Sequence, residues 1–240
     1  MMRDRFAVAE HALTALAGDE SRLYEPFLGM LPVDGLSIST FGDFLPAETV
    51  SASDAQSVRL DALQFDLGEG PCWDALETRA PVLEPNIRER PTRVWPAFSE
   101  AIITEDLGAL FAFPLLLGPL RLGALDLYTS RPSRLSDLSI RQTSGLATVV
   151  SRLVLARAIR LSESDVEGDA EARRHFSRRE VHQATGMVLA QLGVPAPDAL
   201  LVIQGHAFAA GRPMLEIAEE IIDRRLSFAV NENRIEGSHD

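Results

Sequence analysis

The spacing of apolar and polar residues predicts a mixture of helices and strands over the first two thirds of the chain. Residues 5–17 place apolar side chains at helical intervals, which predicts an amphipathic helix. Residues 35–41 (GLSISTF) alternate apolar and small polar side chains, which predicts a half-buried strand. The apolar runs 109–117 and 122–128 flank a Gly-Pro turn signal, so they predict a central antiparallel hairpin. Shorter segments indicate a strand at Val82 and Leu83, a helix through Trp73 and Leu76, and a helix from Pro96 to Thr104.

A long helix is predicted from Ser136 to Leu161. Apolar residues recur along one side of it, several of them at intervals of seven: Ile140, Ala147, Val150, Val154 and Leu161. Such a stripe is typical of a helix that pairs with a second copy of the chain, which would give a homodimer. It is equally typical of a helix that covers one face of the sheet in its own domain. The spacing alone leaves both interpretations open.

Three short helices are predicted near the C-terminus, after the polar acidic stretch 162–170 (SESDVEGDA). Ser177 and Glu180 match a capping box, in which two side chains bind free amide groups at the start of a helix. Gly193 and Gly211 are stop signals for the first and second helices, and the third helix begins at Pro213. The three helices therefore form a small unit of their own.

These elements predict an α+β chain in which an antiparallel sheet flanked by helices is followed by a small all-α domain of three helices. The predicted boundaries are an N-terminal amphipathic helix over 1–21, a mixed domain with the long helix over 22–161, an acidic linker over 162–172, a three-helix domain over 173–228 and a polar tail over 229–240.

The composition is that of a globular protein, with 46% hydrophobic and 24% charged residues. The uncharged run 107–120 is too short for a membrane-spanning helix and contains two prolines, and the N-terminus lacks the apolar core of a secretory signal. A single cysteine cannot form an internal disulfide. We therefore expect a soluble protein of the cytoplasm.

The charge is distributed unevenly along the chain, whose net charge is −12. The acidic excess lies mainly before residue 171, whereas residues 171–228 contain equal numbers of arginines and acids. All 23 basic residues of the chain are arginines. The C-terminal helical domain is therefore the part best suited to a polyanionic partner.

The chemistry available to the larger domain is limited by its residue types. It has no histidine between His11 and His175 and the chain has no lysine, so a Ser-His-Asp triad, a histidine-bound haem or metal, and a phosphate-binding loop with its lysine are all excluded there. We expect no enzyme activity, no metal and no cofactor. Cys72 fits either a redox switch at the start of a helix or a buried small hydrophobe.

Aromatic and polar residues of this domain are candidates for a ligand pocket. The aromatic candidates, Trp73, Trp95 and Phe113, would line an apolar site or belong to the core. The polar candidates, Ser37, Ser39 and Asp126, would contact a ligand or face solvent on one side of the sheet.

The C-terminal domain resembles the ANTAR family of RNA-binding output domains over about residues 173–228. The resemblance lies in His182–Val188 (HQATGMV), Leu192-Gly193, Ala199-Leu200, Ala207-Phe208 and Leu215–Ala218 (LEIA). It implies binding to stem-loops in nascent transcripts and prevention of termination. Thr185 and Gln204 stand where many members have Lys and Arg. The residues that the resemblance and the charge pattern assign to RNA are Arg174, Arg178, Arg179, Gln183, Thr185, Gln204 and Arg212.

The larger domain resembles GAF domains of the kind that precede ANTAR domains in actinobacterial-type regulators. The resemblance lies in Gly68–Cys72 (GEGPC), Trp95–Phe98 (WPAF), Phe113–Leu115 (FPL) and Gly123–Tyr128 (GALDLY). It implies a sheet with packed helices and a small-molecule pocket. The absence of lysine and the Trp that follows Cys72 argue against a cyclic nucleotide and a covalent bilin.

The resemblance implies a signal-responsive RNA-binding regulator. A signal at the GAF-like domain would alter dimer geometry through the long helix and thereby control RNA binding. An alternative from another class is a protein-interaction regulator with a closed sensor pocket and no RNA binding. The Thr and Gln at positions 185 and 204 favour this alternative because they remove two cations.

Overall fold

The computed structural model describes residues 2–41, 45, 47–91, 93–163, 179–231 and 234–239. The chain divides into two compact units, residues 1–176 and 177–240. The helices of the first unit are α1 (Met2–Ala15), α2 (Glu25–Leu28), α3 (Ala55–Leu67), α4 (Pro71–Thr78), α5 (Pro96–Ala101) and α6 (Asp137–Glu163). Its strands are β1 (Gly35–Thr40), β2 (Glu48–Ala52), β3 (Val82–Glu84), β4 (Ala109–Leu117) and β5 (Leu120–Thr129). Short 3₁₀ turns lie at Glu20–Arg22, Ile87–Glu89 and Ile102–Thr104.

The five strands of this unit form one antiparallel sheet with the order β2-β1-β5-β4-β3. The predicted central hairpin is confirmed as β4 and β5, which turn at Gly118 with its positive φ of 57°. The predicted strands at 35–41 and at Val82 are confirmed as β1 and β3. Strand β2 and helix α3 are additional elements.

One face of the sheet packs against α1, α2 and α6. The apolar side chains of this core include Ile38, Phe111, Phe113, Leu125 and Leu127 from the sheet and Leu13, Phe27, Ala147, Val150 and Val154 from the helices. Ala147, Val150 and Val154 are thus buried within their own chain, which excludes them as candidates for a dimer surface. The stripe on α6 covers the sheet, which was the other interpretation. Ile140 packs at the edge of the same core.

The opposite face of the sheet packs against α3, α4 and α5. A second apolar cluster on this side contains Leu60, Trp95, Phe98, Ile102, Leu110 and Tyr128. Helix α3 begins with a capping box in which Asp54 accepts a hydrogen bond from the Ser57 amide at 2.8 Å. Both faces of the sheet are therefore covered, so side chains on either face of its central strands are buried.

The second unit contains α7 (Arg179–Leu192), α8 (Ala196–Ala210) and α9 (Met214–Ile222), followed by the strands β6 (Leu226–Asn231) and β7 (Arg234–His239). Gly193 and Gly211 adopt positive φ angles of 66° and 62° at the ends of α7 and α8, as the sequence predicted. The core of the three helices consists of Val181, Ala184, Val188, Ala199, Ile203, Ala207, Met214, Ile217, Ala218 and Ile221. Ser177, the first residue of the predicted capping box, lies outside the described residues.

A β-hairpin stands where the sequence predicted a polar tail over 229–240. Strands β6 and β7 pair in antiparallel register, and Leu226 and Phe228 are buried. The Phe228 amide donates to Gln191 Oε1 on α7 at 2.9 Å, and the Phe228 ring meets the His206 ring edge to face at 5.4 Å. The prediction was wrong because Leu226 and Phe228, which precede residue 229, pack the hairpin on the helices.

Among the described helices, none is by itself long and apolar enough to cross a membrane. Helices α7 and α8 meet the criteria of length and composition only as a pair, and this pair is bent by 106°.

Candidate functional site

A buried polar cluster lies between the sheet and α3. The alternation of β1 and β5 places Ser37, Ser39 and Asp126 on the sheet face that α3 and α4 cover, with Ser37 directly opposite Asp126. Asp126 is 6% exposed and Ser39 is 2% exposed. The structure thus brings these three predicted residues together, and it excludes the alternative that they face solvent.

Gln64 on α3 connects this cluster to α4. Its Nε2 donates to Asp126 Oδ2 at 2.6 Å, and its Oε1 accepts a hydrogen bond from the Cys72 amide at 2.9 Å. Its backbone carbonyl accepts from the Trp73 indole at 2.7 Å. Gln64 was not predicted as a site residue. The sequence signal that could have found it is its position one helical turn after the apolar Leu60, which places both side chains on the same side of α3.

Asp61, one turn before Gln64, brings a second carboxyl group to the cluster. The hydroxyl of Thr49 on β2 donates to Asp61 Oδ2 at 2.5 Å, and both residues are buried. Burial, reinforced by the nearby Asp61, raises the pKa of Asp126 to about 8, although the hydrogen bond from Gln64 acts in the opposite direction. Asp126 is therefore mostly protonated at pH 7.

Two buried oxygen atoms of the cluster lack hydrogen-bond partners in the part of the chain that the structure describes. They are Asp126 Oδ1 and Ser39 Oγ. Ser39 pairs with Ala124, two residues before Asp126, so both atoms belong to the same face of neighbouring strands. A buried polar atom without a partner destabilises a fold, so such atoms are usually bound to something.

Aromatic rings lie beside the cluster. The Trp73 ring lies 4.7 Å from the Phe41 ring and 6.3 Å from the Phe65 ring, measured between centroids. Phe41 and Trp73 are partly exposed. Cys72 is buried in the first turn of α4, with its amide bound to Gln64. The polar residues of the cluster are thus flanked by aromatic rings, and we call Phe41 and Trp73 its aromatic border.

Two of the predicted pocket residues lie elsewhere. Phe113 is fully buried on the opposite sheet face, in the core under α6, which excludes it as a pocket residue and confirms the alternative that it belongs to the core. Trp95 is buried in the second apolar cluster, where its indole donates to Asp74 at 3.2 Å and the Arg90 guanidinium lies 3.9 Å from its ring centroid. These contacts make Trp95 part of the core.

The second unit carries an exposed apolar stripe on α8. Leu201 is 62% exposed and Phe208 is 61% exposed, and Gly205 lies between them at helical spacing. A Cβ atom added at Gly205 or at Gly186 on α7 would meet no atom within 4 Å. These two glycines therefore have open space above them on the helix surface.

The predicted RNA-contacting residues fall into different environments. Gln183 is exposed on α7, and Gln204 is half-buried on α8. Thr185 is buried, and its hydroxyl donates to the Val181 carbonyl at 2.7 Å. Its assignment to the RNA surface was therefore wrong, because position 185 belongs to the buried side of α7.

The arginines of this unit are largely engaged or outside the described residues. Arg212 forms ion pairs with Glu216 at 3.1 Å and with Glu220 at 3.0 Å. Hydrogen bonds to these two carboxylates raise the pKa of the Arg212 guanidinium further. Arg174 and Arg178 lie outside the described residues, as does the side chain of Arg179.

Two parts of the chain match known domain families. The model of the GAF domain matches residues 9–154, which is more than half of the chain. The chain belongs to the GAF domain family. The model of the ANTAR domain matches residues 172–222, so this GAF protein also carries an ANTAR domain. None of the curated proteins matches the chain significantly.

Solved structures agree with the GAF fold. The GAF domain from an Acinetobacter phosphoenolpyruvate-protein phosphotransferase has 13% sequence identity and a TM-score of 0.52, over 70% of this chain and 98% of that one. The corresponding domain from Coxiella burnetii has 14% identity and a TM-score of 0.50, over 68% of this chain and 97% of that one. At such identities the likeness concerns the fold alone.

The combination of domains defines the general role of the chain. A GAF domain followed by an ANTAR domain is the organisation of a signal-regulated regulator. The polar cluster lies in the GAF domain, and the exposed stripe on α8 lies in the ANTAR domain.

Proposed function

We propose that this GAF–ANTAR protein is a signal-responsive RNA-binding regulator that acts by transcription antitermination. The ANTAR domain would bind stem-loops in nascent transcripts, under the control of a ligand or other signal at the GAF domain. Such a protein would act in the cytoplasm and without catalysis. The observation that carries this proposal is the exposed stripe Leu201–Gly205–Phe208 on α8.

The stripe has the properties of a surface that stacks on bases. Proteins recognise RNA loops by stacking unpaired bases on exposed aromatic rings, and each such contact contributes about 1–3 kcal/mol. Phe208 offers such a ring. Gly205 disfavours the helix by about 1 kcal/mol relative to Ala, and no neighbouring atom requires a glycine there. A partner that approaches the α8 backbone closely would explain both features.

The charges of the ANTAR domain favour stacking over phosphate attraction. Arg212 is bound to Glu216 and Glu220, so a phosphate would have to compete with two carboxylates for it. This pairing is also the observation that favours the second candidate, a regulator whose ANTAR domain binds a protein. An apolar stripe with neutralised cations would suit a protein partner as well.

A homodimer is part of the proposal, because two ANTAR domains would double the contacts with a paired stem-loop. The buried residues of α6 do not supply its interface. The C-terminal end of α6 is tied to the GAF domain by two ion pairs, Arg157 with Glu48 and Arg160 with Glu20. These contacts offer a way for the GAF domain to act on the helix that leads to the linker.

The test is binding of the full-length protein to RNA with two adjacent stem-loops, with a shuffled RNA of equal length for comparison. We expect preference for the stem-loops and a loss of affinity of about 10-fold or more for Phe208→Ala. Gly205→Ala should stabilise the helix and still weaken binding, because the added methyl group occupies the open surface. Light scattering on the same samples gives the oligomeric state.

Val8→Ala is the matched control, because Val8 is an apolar residue of α1 that is 67% exposed. It should leave RNA affinity unchanged. Equal affinity for both RNAs, or an unchanged affinity of Phe208→Ala, would contradict the proposal. A partner protein that is retained after nuclease treatment and lost in Phe208→Ala would instead support the second candidate.

A further inference from the structure

Asp126 is a buried acid whose environment contains no compensating cation among the described residues. On α3 it faces Asp61 and Gln64, on β1 it faces Ser37, and on β4 it pairs with Ala112. The hydrogen bond that it accepts from Gln64 comes from a neutral amide, and the charged group that acts on it is a second carboxyl, that of Asp61. Buried carboxylates normally have a cationic partner.

The free atoms of the cluster define what a partner must offer. Asp126 Oδ1 and Ser39 Oγ are both buried oxygens that can accept hydrogen bonds, and neither is satisfied by a described residue. A group that donates two or more N–H bonds would satisfy both. If the group also carried a positive charge, it would stabilise the ionised form of Asp126.

The aromatic border fits the same chemistry. Phe41 and Trp73 are partly exposed at the side of the cluster, and Trp73 is anchored through its indole to Gln64, the residue that binds Asp126. The faces of such rings attract cations and also cover apolar parts of a ligand. Among the described residues, no three acidic, histidine or cysteine side chains are placed so that they could hold a metal ion. We therefore consider an organic cation as the partner of Asp126.

We propose that the cluster Ser39–Asp126–Gln64, bordered by Phe41 and Trp73, is a binding site for a small organic cation with N–H donors, such as a primary ammonium or an amidinium. The cation binds Asp126 Oδ1 and Ser39 Oγ, and its apolar part lies against the aromatic rings. This inference rests on the proposed role of the GAF domain as a ligand sensor. Ligand entry requires movement of the side chains that now bury both oxygens.

The experiment is calorimetric titration of the full-length protein at pH 7 with propylammonium and benzamidinium chlorides. The uncharged counterparts 1-propanol and benzamide serve as controls. We expect saturable binding of at least one cation and none of its counterpart. Because Asp126 is mostly protonated in the free protein, binding should release about one proton per cation, measured as a dependence of the heat on the buffer.

Variants separate the site from a surface effect. Asp126→Asn should weaken cation binding by about 30-fold or more and abolish proton release, and Ser39→Ala should weaken binding by about 5-fold. Asp34→Asn is the matched control, because Asp34 is a carboxylate of the same domain bound to Ser130 near the surface. It should leave the titration unchanged. Ser39→Ala also serves if Asp126→Asn does not fold.

Three outcomes would overturn this inference: no binding of either cation up to about 10 mM, equal binding of the uncharged counterparts, or cation binding that persists in both site variants. In the first case, ordered water would remain as the partner of the two buried oxygens. The RNA measurement remains independent of this result. RNA binding without cation binding would overturn the inference alone, whereas cation binding without RNA binding would overturn the proposed function alone.

Discussion

A single side chain, Asp126, contributes to the pH dependence of the stability of the GAF domain. Its pKa is raised to about 8 by burial and by Asp61, whereas an unfolded Asp has a pKa of about 3.9. Between these two values the native state binds more protons than the unfolded state. The contribution of Asp126 to stability is therefore present at low pH and is lost as pH rises from about 4 to about 8.

We predict that Asp126→Asn removes this loss. Asn keeps the shape and the hydrogen bond from Gln64 but has no proton to lose, so the free energy of unfolding of the variant should exceed that of the wild type increasingly from pH 5 to pH 8. Urea unfolding followed by tryptophan fluorescence measures this domain selectively, because Trp73 and Trp95 are the only tryptophans of the chain. The largest slope from one group is about 1.4 kcal/mol per pH unit.

Asp34→Asn provides a control of opposite sign. Hydrogen bonds from the Ser130 amide and hydroxyl hold the pKa of Asp34 below its usual value. The stability that Asp34 contributes is present above the unfolded pKa and is lost as pH falls through the native pKa. This variant should therefore differ from the wild type at neutral pH, and the difference should disappear in acid as Asp34 of the wild type becomes protonated. Identical pH profiles for Asp126→Asn and the wild type would refute the raised pKa.

The same residues show what can be predicted from sequence at this scale. Alternation correctly indicated that Ser37, Ser39 and Asp126 share a sheet face. It could not indicate whether that face was covered, because burial depends on α3, which is distant in sequence from β5. Thr185 shows the same limit on a helix, since it extends the buried side formed by Val181, Ala184 and Val188.

At the scale of elements, local signals located the helix ends and tertiary contacts decided the rest. Gly193 and Gly211 predicted where α7 and α8 end, because a positive φ angle favours glycine at those positions. Strand β2 (ETVSA) is too short and polar to give a clear pattern and forms because it pairs with β1. The apolar stripe of α6 could not be assigned because a dimer and a covered sheet require the same spacing.

The hairpin β6–β7 lies beyond the matched ANTAR region yet packs on its helices. We predict that Phe228→Ala destabilises the ANTAR domain by about 3 kcal/mol, because it empties the space of a buried ring beside His206. Hydrogen exchange measured by mass spectrometry should show faster exchange in peptides of α7 and α9, with the GAF domain unchanged.

Ile235→Ala in the same hairpin is the matched control. Ile235 is 47% exposed, so its truncation should change stability by less than about 0.5 kcal/mol. If Phe228→Ala were as mild as Ile235→Ala, the hairpin would contribute little to the ANTAR domain. A family match that ends at residue 222 would then describe the whole stable unit.

For the whole molecule, strand β2 offers a connection from the polar cluster to the helix that leads toward the linker. Its neighbouring residues point to opposite faces of the sheet: Thr49 donates to Asp61 of the cluster, whereas Glu48 forms the ion pair with Arg157 of α6. We therefore expect that a change in the protonation or ligation of the cluster that moves Thr49 also affects Glu48. Arg160, which pairs with the buried Glu20, holds the same end of α6.

This connection predicts that Thr49→Val acts on α6 at a distance. Valine keeps the shape of the side chain but removes the hydrogen bond to Asp61, so the Glu48–Arg157 contact should loosen and amide exchange should accelerate several-fold in the last two turns of α6, with its first turns unchanged. Thr78→Val is the control, because it removes a hydroxyl that binds the Asp74 carbonyl on α4, away from β2. If α6 exchanges equally in both variants, β2 does not couple the cluster to the helix. If only Thr49→Val accelerates exchange and also changes the RNA affinity of the full-length protein, the same strand serves as the route by which the GAF domain controls its output.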